Sequence, residues 1–369
     1  MEGRKLKIIA LYLPQYHTIP ENDKWWGEGF TDWVNVKKAK PLFAGHNQPR
    51  VPLNSKYYNL LDKEDQVWQA RLAKENGVYG FCYYHYWFNG KQLLEQPLNN
   101  MLNTKEIELP FCICWANEPW SRTWDGSEKE MLMPQEYGGE KEWIEHFNYL
   151  LKAFKDSRYI KVCNKPMLVI YRTESIDNCS KMFDFWNNEA IKNGFNGLHI
   201  VEMMTGFQDK PQYSKSEAVM EFEPNFTLRY DISQFERVKR RLRRIIRNNK
   251  FIFKENCPKA LLDVYSYDKI WTKIVNRRRN YSNRKVYPGA FVGWDNSPRK
   301  GINSMIFNGE SVDKFGKYIN QQIEKTNEYY KSEYIFINAW NEWAEGTYLE
   351  PDKKNGNAYL EIIKNANRK

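Results

Sequence analysis

Short apolar runs of strand length recur along the chain, with helically spaced stretches between them. The runs are Lys7–Tyr12, Tyr79–Tyr86, Phe111–Ala116, Met167–Tyr171, Leu198–Met203, Ala218–Phe222, Val286–Val292 and Tyr334–Ala339. β-Branched and aromatic residues dominate most of them, which fits a pleated surface. Helical spacing appears over Lys63–Asn76, where Val67, Trp68, Leu72 and Ala73 share a side before Gly77 stops the pattern. It recurs over Gln92–Leu102, Glu140–Phe154, Ile176–Asn193, Ser311–Tyr330 and Gly356–Asn367, and a long basic helical region is expected over Ile232–Arg279. Eight strands alternating with helices predict an α/β protein, a (β/α)8 TIM barrel with long βα loops. It is read as one catalytic domain over residues 1–369, with a basic helical insertion at about 232–285 between the sixth and seventh strands. An open doubly wound sheet is the rival, but no G-x-G-x-x-G or G-x-x-x-x-G-K-[ST] follows any run.

In such a barrel the chemistry sits at the C-terminal ends of the strands. Those ends carry polar and aromatic residues here. The first runs into Tyr16 and His17, and the second passes through His85 and Trp87. The third ends in Trp115, Asn117, Glu118 and Trp120, opening a long loop to Gly139 that also holds Trp124. The fourth ends in Tyr171, the fifth holds Glu202, the sixth ends in Glu221 and Glu223, and the seventh leads to Trp294 and Asp295. The eighth ends in Asn341, Glu342, Trp343, Ala344 and Glu345. With Asn338 and Trp340 just before them, that makes two carboxylates, two amides and two indoles, which would stabilise a core poorly; they suit a pocket for a ligand with apolar faces and hydroxyl edges. Tyr16, His17, His85, Trp87, Trp115, Asn117, Glu118, Trp120, Tyr171, Trp294, Asp295, Asn341 and Trp343 are therefore expected to bind substrate. For most aromatics the plainer role, core filling, is open as well.

Composition narrows the class. Hydrophobic residues make up 41% and aromatic residues 16%, with 14 Trp and 24 Tyr, so a sizeable core is available. None of the six cysteines lies in a C-x-x-C or at zinc-ligand spacing from a histidine, and reduced buried thiols are expected. Neither a metal nor a cofactor is expected. The run Ile8–Leu13 is too short for a signal segment, and no stretch reaches membrane-spanning length, so a cytoplasmic location is expected. The net charge of +10 is uneven: from Arg237 to Lys285 there are 17 Lys and Arg against three acids. Val238, Leu242, Ile245 and Ile246 form an apolar stripe beside this charge. A barrel helix with a solvated basic face is one reading. Contact of residues 237–250 with an anionic membrane surface, at the inner face, or with a lipid-linked glycan is the other. Nucleic acid is not expected, since no binding motif accompanies the patch.

Glycosidic cleavage needs a carboxylic acid to protonate the leaving oxygen and a second carboxylate as nucleophile or base. Glu342 and Glu345, three apart at a strand-to-loop junction, are the expected catalytic pair. Glu118 as acid/base with Glu342 as nucleophile is the alternative pairing. The segments Ala10–His17, Trp25–Trp33, Tyr83–Phe88, Trp115–Trp120 and N-E-W-A-E-G-T-Y-L-E-P (Asn341–Pro351) together resemble the WbsX-type, glycoside hydrolase family 99-like domain over roughly residues 6–360. The resemblance implies a (β/α)8 barrel acting on an oligo- or polysaccharide, in bacterial surface-glycan contexts. Its better understood members are endo-acting α-mannosidases. By that likeness Glu342 assists attack by the sugar's own 2-hydroxyl through a 1,2-anhydro sugar, and Glu345 is the general acid/base. Ala344 departs from the family pattern, which has a histidine between the glutamates. A glycosyltransferase of lipopolysaccharide, capsule or O-antigen assembly and a non-catalytic glycan-binding barrel are the alternatives.

Overall fold

The computed structural model describes residues 6–121, 130–247 and 257–366. Eight parallel strands form a barrel: β1 Lys7–Tyr12, β2 Gly80–Phe88, β3 Phe111–Trp115, β4 Lys165–Ile170, β5 His199–Met204, β6 Ala218–Glu221, β7 over residues 285–291 and β8 Tyr334–Asn338. Hydrogen bonding runs β6-β5-β4-β3-β2-β1-β8. β1 lies between β8 (Ile8 opposite Ile335) and β2 (Ala10 opposite Phe81). The strands are buried almost throughout, β2 along all nine residues, as expected of parallel strands covered on both faces.

The ring closes through β7, whose halves serve different neighbours. Lys285–Tyr287 pairs with β6 and Gly289–Phe291 with β8. The switch falls at Pro288, which has no N–H to give a ladder, while its carbonyl accepts from the Phe336 N–H at 3.1 Å. Next to it Gly289 lies so close to β6 that a Cβ there would run into the Glu221 carbonyl.

The helical spacing reads through into packing. Glu140–Phe154 turns Trp143, Phe147, Leu150 and Phe154 inward, a stripe of one helix face. Two expected elements differ. Within Gln92–Leu102, Lys91–Leu93 pairs antiparallel with the end of β2, and the helix starts at Gln96. The expected long basic helix over Ile232–Arg279 is not continuous. Gln234–Arg247 is a helix, Asp263–Ser266 is a strand pairing with Met305–Asn308, and Tyr267–Asn276 is a separate helix that buries Tyr267, Ile270, Trp271 and Ile274. Asp263–Ser266 is short and edged by Pro258 and a Ser266 cap, signals that the surrounding charge hides in the sequence. Trp124 and residues 248–250 lie outside the described residues.

The loops at the strand ends carry their own structure. The first holds helices Pro20–Trp26 and Asp32–Lys38, the third a hairpin of Trp120–Ser121 with Met131–Met133, and the seventh a short helix, Ser297–Lys300. After β8, Asn341–Glu342 pairs back on Thr347–Tyr348 around a tight turn, Trp343–Glu345. Gly346 closes that turn at φ +62°, and a Cβ there would meet the Asp295 backbone nitrogen at 2.9 Å.

Candidate active site

The loops surround a cleft of about 580 Å³ at the C-terminal mouth of the barrel. Glu342 and Glu345 both line it, with Glu118, Trp120, Tyr171 and Trp294. These six of the expected site residues come together there.

The floor of the cleft is an ion cluster centred on Arg299. Its Nη1 lies 2.9 Å from Glu345 Oε1, and its Nη2 lies 3.3 Å from Glu342 Oε2 and 2.8 Å from Asp32 Oδ2. Asp32 is fully buried at the start of its helix, where its own N–H donates to the Gln15 carbonyl. Burial pushes the Glu342 carboxyl up to about 8 against the opposing pull of Arg299, and the charges of Glu345 and Asp32 add to the rise. Glu345 is the more open of the two. Two carboxyl groups on one guanidinium, one of them holding its proton at neutral pH, can share acid and base duties. Across the cleft, burial raises the Glu118 pKa although Arg172, 3.2 Å away, opposes it.

The other expected residues sit behind the cleft wall. On β2, Tyr84 and Tyr86 line the cleft while His85 and Trp87 point the other way. His85 meets His146 at 2.9 Å, and Trp87 stacks on that same ring at 4.4 Å. Burial pulls His85 down to about 3, so the pair is neutral. The same alternation holds after β3. Ala116 and Glu118 line the cleft, whereas Trp115 is buried and Asn117 exchanges hydrogen bonds with the Arg172 backbone, both at 2.8 Å. Successive side chains of extended chain take opposite faces, which explains both cases.

Asn341 does at β8 what Asn117 does at β3. Its amide accepts from the Leu13 N–H at 2.8 Å and donates to the Leu13 carbonyl at 3.0 Å. Tyr16 donates to the Asn341 carbonyl at 2.5 Å and accepts from the Trp343 N–H at 3.2 Å. Trp343 stacks on Tyr348 at 3.7 Å and donates to Glu350 at 2.6 Å. Burial pushes Glu350 up to about 7, and its partners Trp343, Gln69 and Tyr58 oppose the rise. Asp295 accepts from Gln48 at 2.6 Å, lies 2.8 Å from His46, and is held below the usual range despite burial, by His46 and Arg50. His17 is buried with Nδ1 on the Pro14 carbonyl, and burial lowers it to about 4. These residues hold the rim in place.

Arg299, Asp32, Tyr84 and Tyr86 line or brace the cleft and were not among the expected site residues. Asp32 lies in the segment Trp25–Trp33 and the two tyrosines in Tyr83–Phe88, so their signal was present as motif. Arg299 had only its position shortly after Trp294-Asp295. Ala344, between the glutamates, is wholly buried in a turn that packs on helices Asp32–Lys38 and Ser297–Lys300, and it does not line the cleft. Among the described residues, no cluster of three His, Cys, Asp or Glu has metal-binding geometry.

Solved structures share this architecture. An endo-alpha-mannosidase of glycoside hydrolase family 99 from Bacteroides thetaiotaomicron, in complex with bis-tris-propane, superposes with a TM-score of 0.58 at 14% identity, over 97% of this chain and 95% of that one. A glycoside hydrolase-like protein gives 0.58 at 13% identity, over 99% and 95%. In sequence the chain is 33% identical over 362 residues to the uncharacterized protein WxcX of Xanthomonas campestris pv. campestris strain B100. That match takes in 97% of this chain and 49% of WxcX, so the chain spans about half the length of that relative. The family model described as Glycosyltransferase WbsX matches residues 8–363. The chain belongs to the WbsX family.

Proposed function

We propose that the cleft works on glycosidic bonds, with Glu342 and Glu345 as the reacting carboxylates. The observation that carries this is that the buried Arg299, from the short helix after β7, bridges both carboxylates just past the end of β8, facing an aromatic cleft. The shared fold with endo-alpha-mannosidases supports a retaining, endo-type, mannosidase-like glycoside hydrolase acting on a bacterial surface polysaccharide or its precursor.

The reaction then runs in two steps. Glu342 takes the proton of the sugar 2-hydroxyl as O2 attacks C1; the C1 bond to the leaving oxygen breaks, and Glu345 protonates that oxygen. Water next opens the 1,2-anhydro ring, Glu345 taking the water proton and Glu342 returning its proton to O2. Burial leaves a proton on Glu342 at neutral pH; the reaction starts from the form of the pair in which that proton is on Glu345, so that Glu342 is ionised and a stronger base than an ordinary carboxylate. Glu118, Trp120, Tyr171 and Trp294 are assigned to substrate binding. Ala344 stands where the mannosidases carry a histidine; here the position is buried and does not line the cleft, and a different glycan follows if that histidine contacts the sugar in the mannosidases.

The test is turnover of bacterial surface oligosaccharides and α-mannans by wild type, Glu342→Gln and Glu345→Gln. Equal product from all three would remove the assignment. The family description favours a second reading, a glycosyltransferase of surface-glycan assembly. Product formed only when a nucleotide sugar or lipid-linked sugar is supplied would select it. Glycan binding without turnover would select a non-catalytic barrel.

We also infer contact of the basic helix with an anionic membrane face on the cytoplasmic side. Its charge and its apolar stripe support this. Among the described residues no helix is long and apolar enough to cross a membrane.

A further inference from the structure

The helix Gln234–Arg247 is built inside out. Arg237, Arg240 and Arg243 are half-buried and Arg247 is 2% exposed; their spacing puts them on one helix face. Away from that face, Phe235 is 76% exposed and Ile245 61%, and Val238, Leu242 and Ile246 are exposed as well. A helix on a water-bathed surface shows the reverse arrangement.

The charge on and beside that face is only partly neutralised. Arg247 donates to the Leu261 carbonyl at 2.8 Å and to Asp263 at 3.2 Å, and Arg240 stands 3.6 Å from the same carboxylate. Arg229, Arg237, Arg241 and Arg244 form no ion pair among the described residues. With Arg240 they line a groove of about 440 Å³ that has no carboxylate among its described lining residues. The groove shares Tyr171, Phe207, Asn225 and Met305 with the cleft, so the two are continuous. Several guanidinium forks around one space suit clustered phosphate oxygens, which they can bind in pairs.

Three surfaces thus follow one another: an acidic aromatic cleft, a groove of arginines, and an apolar row on the helix that walls the groove. We propose that the groove binds the diphosphate of a lipid-linked glycan, with the sugar in the cleft and the apolar row set into the bilayer surface. This rests on the reading of the cleft as a sugar site. The order of the surfaces selects the lipid over a nucleotide, because beyond the arginines lies an apolar row with no groups to read a base.

The test uses the full chain and vesicles of phosphatidylcholine doped with a polyprenyl diphosphate, against vesicles of equal charge carrying phosphatidylglycerol. Wild type should favour the diphosphate vesicles. Arg241→Gln/Arg244→Gln, at exposed positions, should weaken that binding by about tenfold or more and bring it to the phosphatidylglycerol level. Leu242→Ser/Ile245→Ser should weaken both vesicle types while calorimetric binding of inorganic diphosphate stays unchanged. Equal binding to both vesicles, an arginine variant without effect, or stronger competition by a nucleoside diphosphate than by the lipid would each overturn the proposal. Glu342→Gln and Glu345→Gln should leave diphosphate binding intact. If they also leave glycan turnover intact while the arginine effect persists, the catalytic reading of the cleft falls and the groove stands. The converse result removes the groove alone.

Discussion

Arg299 Nη1 lies 2.9 Å from Glu345 Oε1, and the other arm of the same guanidinium reaches Glu342 and Asp32. One planar fork therefore fixes three acidic groups, which the single point charge of a lysine cannot do. Arg299→Lys is expected to keep the fold and lower kcat/KM by about 10²–10³, the scale of losing an organised electrostatic contact. Circular dichroism with steady-state kinetics checks this, and unchanged kcat/KM would remove the bridging role.

The raised Glu342 carboxyl makes stability depend on pH with a definite sign. Folded, it holds its proton to about pH 8, whereas unfolded it releases it near the ordinary value of about 4.3. Across that window the folded state binds more protons, so this group's contribution to stability falls as pH rises. The loss is on the order of a few kcal/mol by pH 9. Glutamine has no such proton. The melting temperature of Glu342→Gln minus that of wild type should grow from pH 5 to pH 9, and a constant difference would contradict the buried, protonated carboxyl.

If Glu345 is the proton donor, its loss should matter only where the leaving oxygen needs a proton. Glu345→Ala is expected to slow a natural glycoside by about 10²–10⁴. It should spare a substrate with an acidic phenol as leaving group. Equal losses on both would move the acid role elsewhere, with Glu118 the first candidate.

Trp294 lines the cleft, and its buried indole N–H has no acceptor among the described residues. A donor left without a partner in a wall of the cleft is suited to a substrate oxygen. Trp294→Phe keeps the ring and removes the donor. KM should rise by about tenfold, the scale of one buried hydrogen bond. No change in KM would mean that the indole only packs.

Asn341 is expected to matter for stability ahead of chemistry. Asn341→Ala leaves the Leu13 N–H and carbonyl without partners and should destabilise the fold by about 2 kcal/mol. Denaturant unfolding reads this directly, and a loss below that scale would show that the rim readily rearranges.

The barrel was legible because every strand is an apolar run, and the observed ends of all eight differ from the expected ones by at most two residues. β7 was legible as a run but not as a strand with two partners, since pairing is settled by neighbours far away in sequence. At the cleft, composition marked the right segments and missed the parity within them. His85 and Trp87 looked as suitable as Tyr84 and Tyr86, and only the pleat decides which pair faces inward. Arg299 could not be singled out, because its role comes from Asp32 and Glu342, 267 and 43 positions away. In the basic region charge and apolar stripe were both visible, but not that the charge faces in.

Asn117 and Asn341 each present one carbonyl and one amide to a neighbouring main chain, as a peptide bond would. They are surrogate peptide groups, continuing the ladder past the point where the strands have parted. The rim thereby keeps sheet-like stiffness while the loops beyond it follow no sheet geometry. Loops of other lengths grafted beyond these two asparagines should leave the barrel standing, so the specificity of the mouth can diversify independently of the frame that carries it.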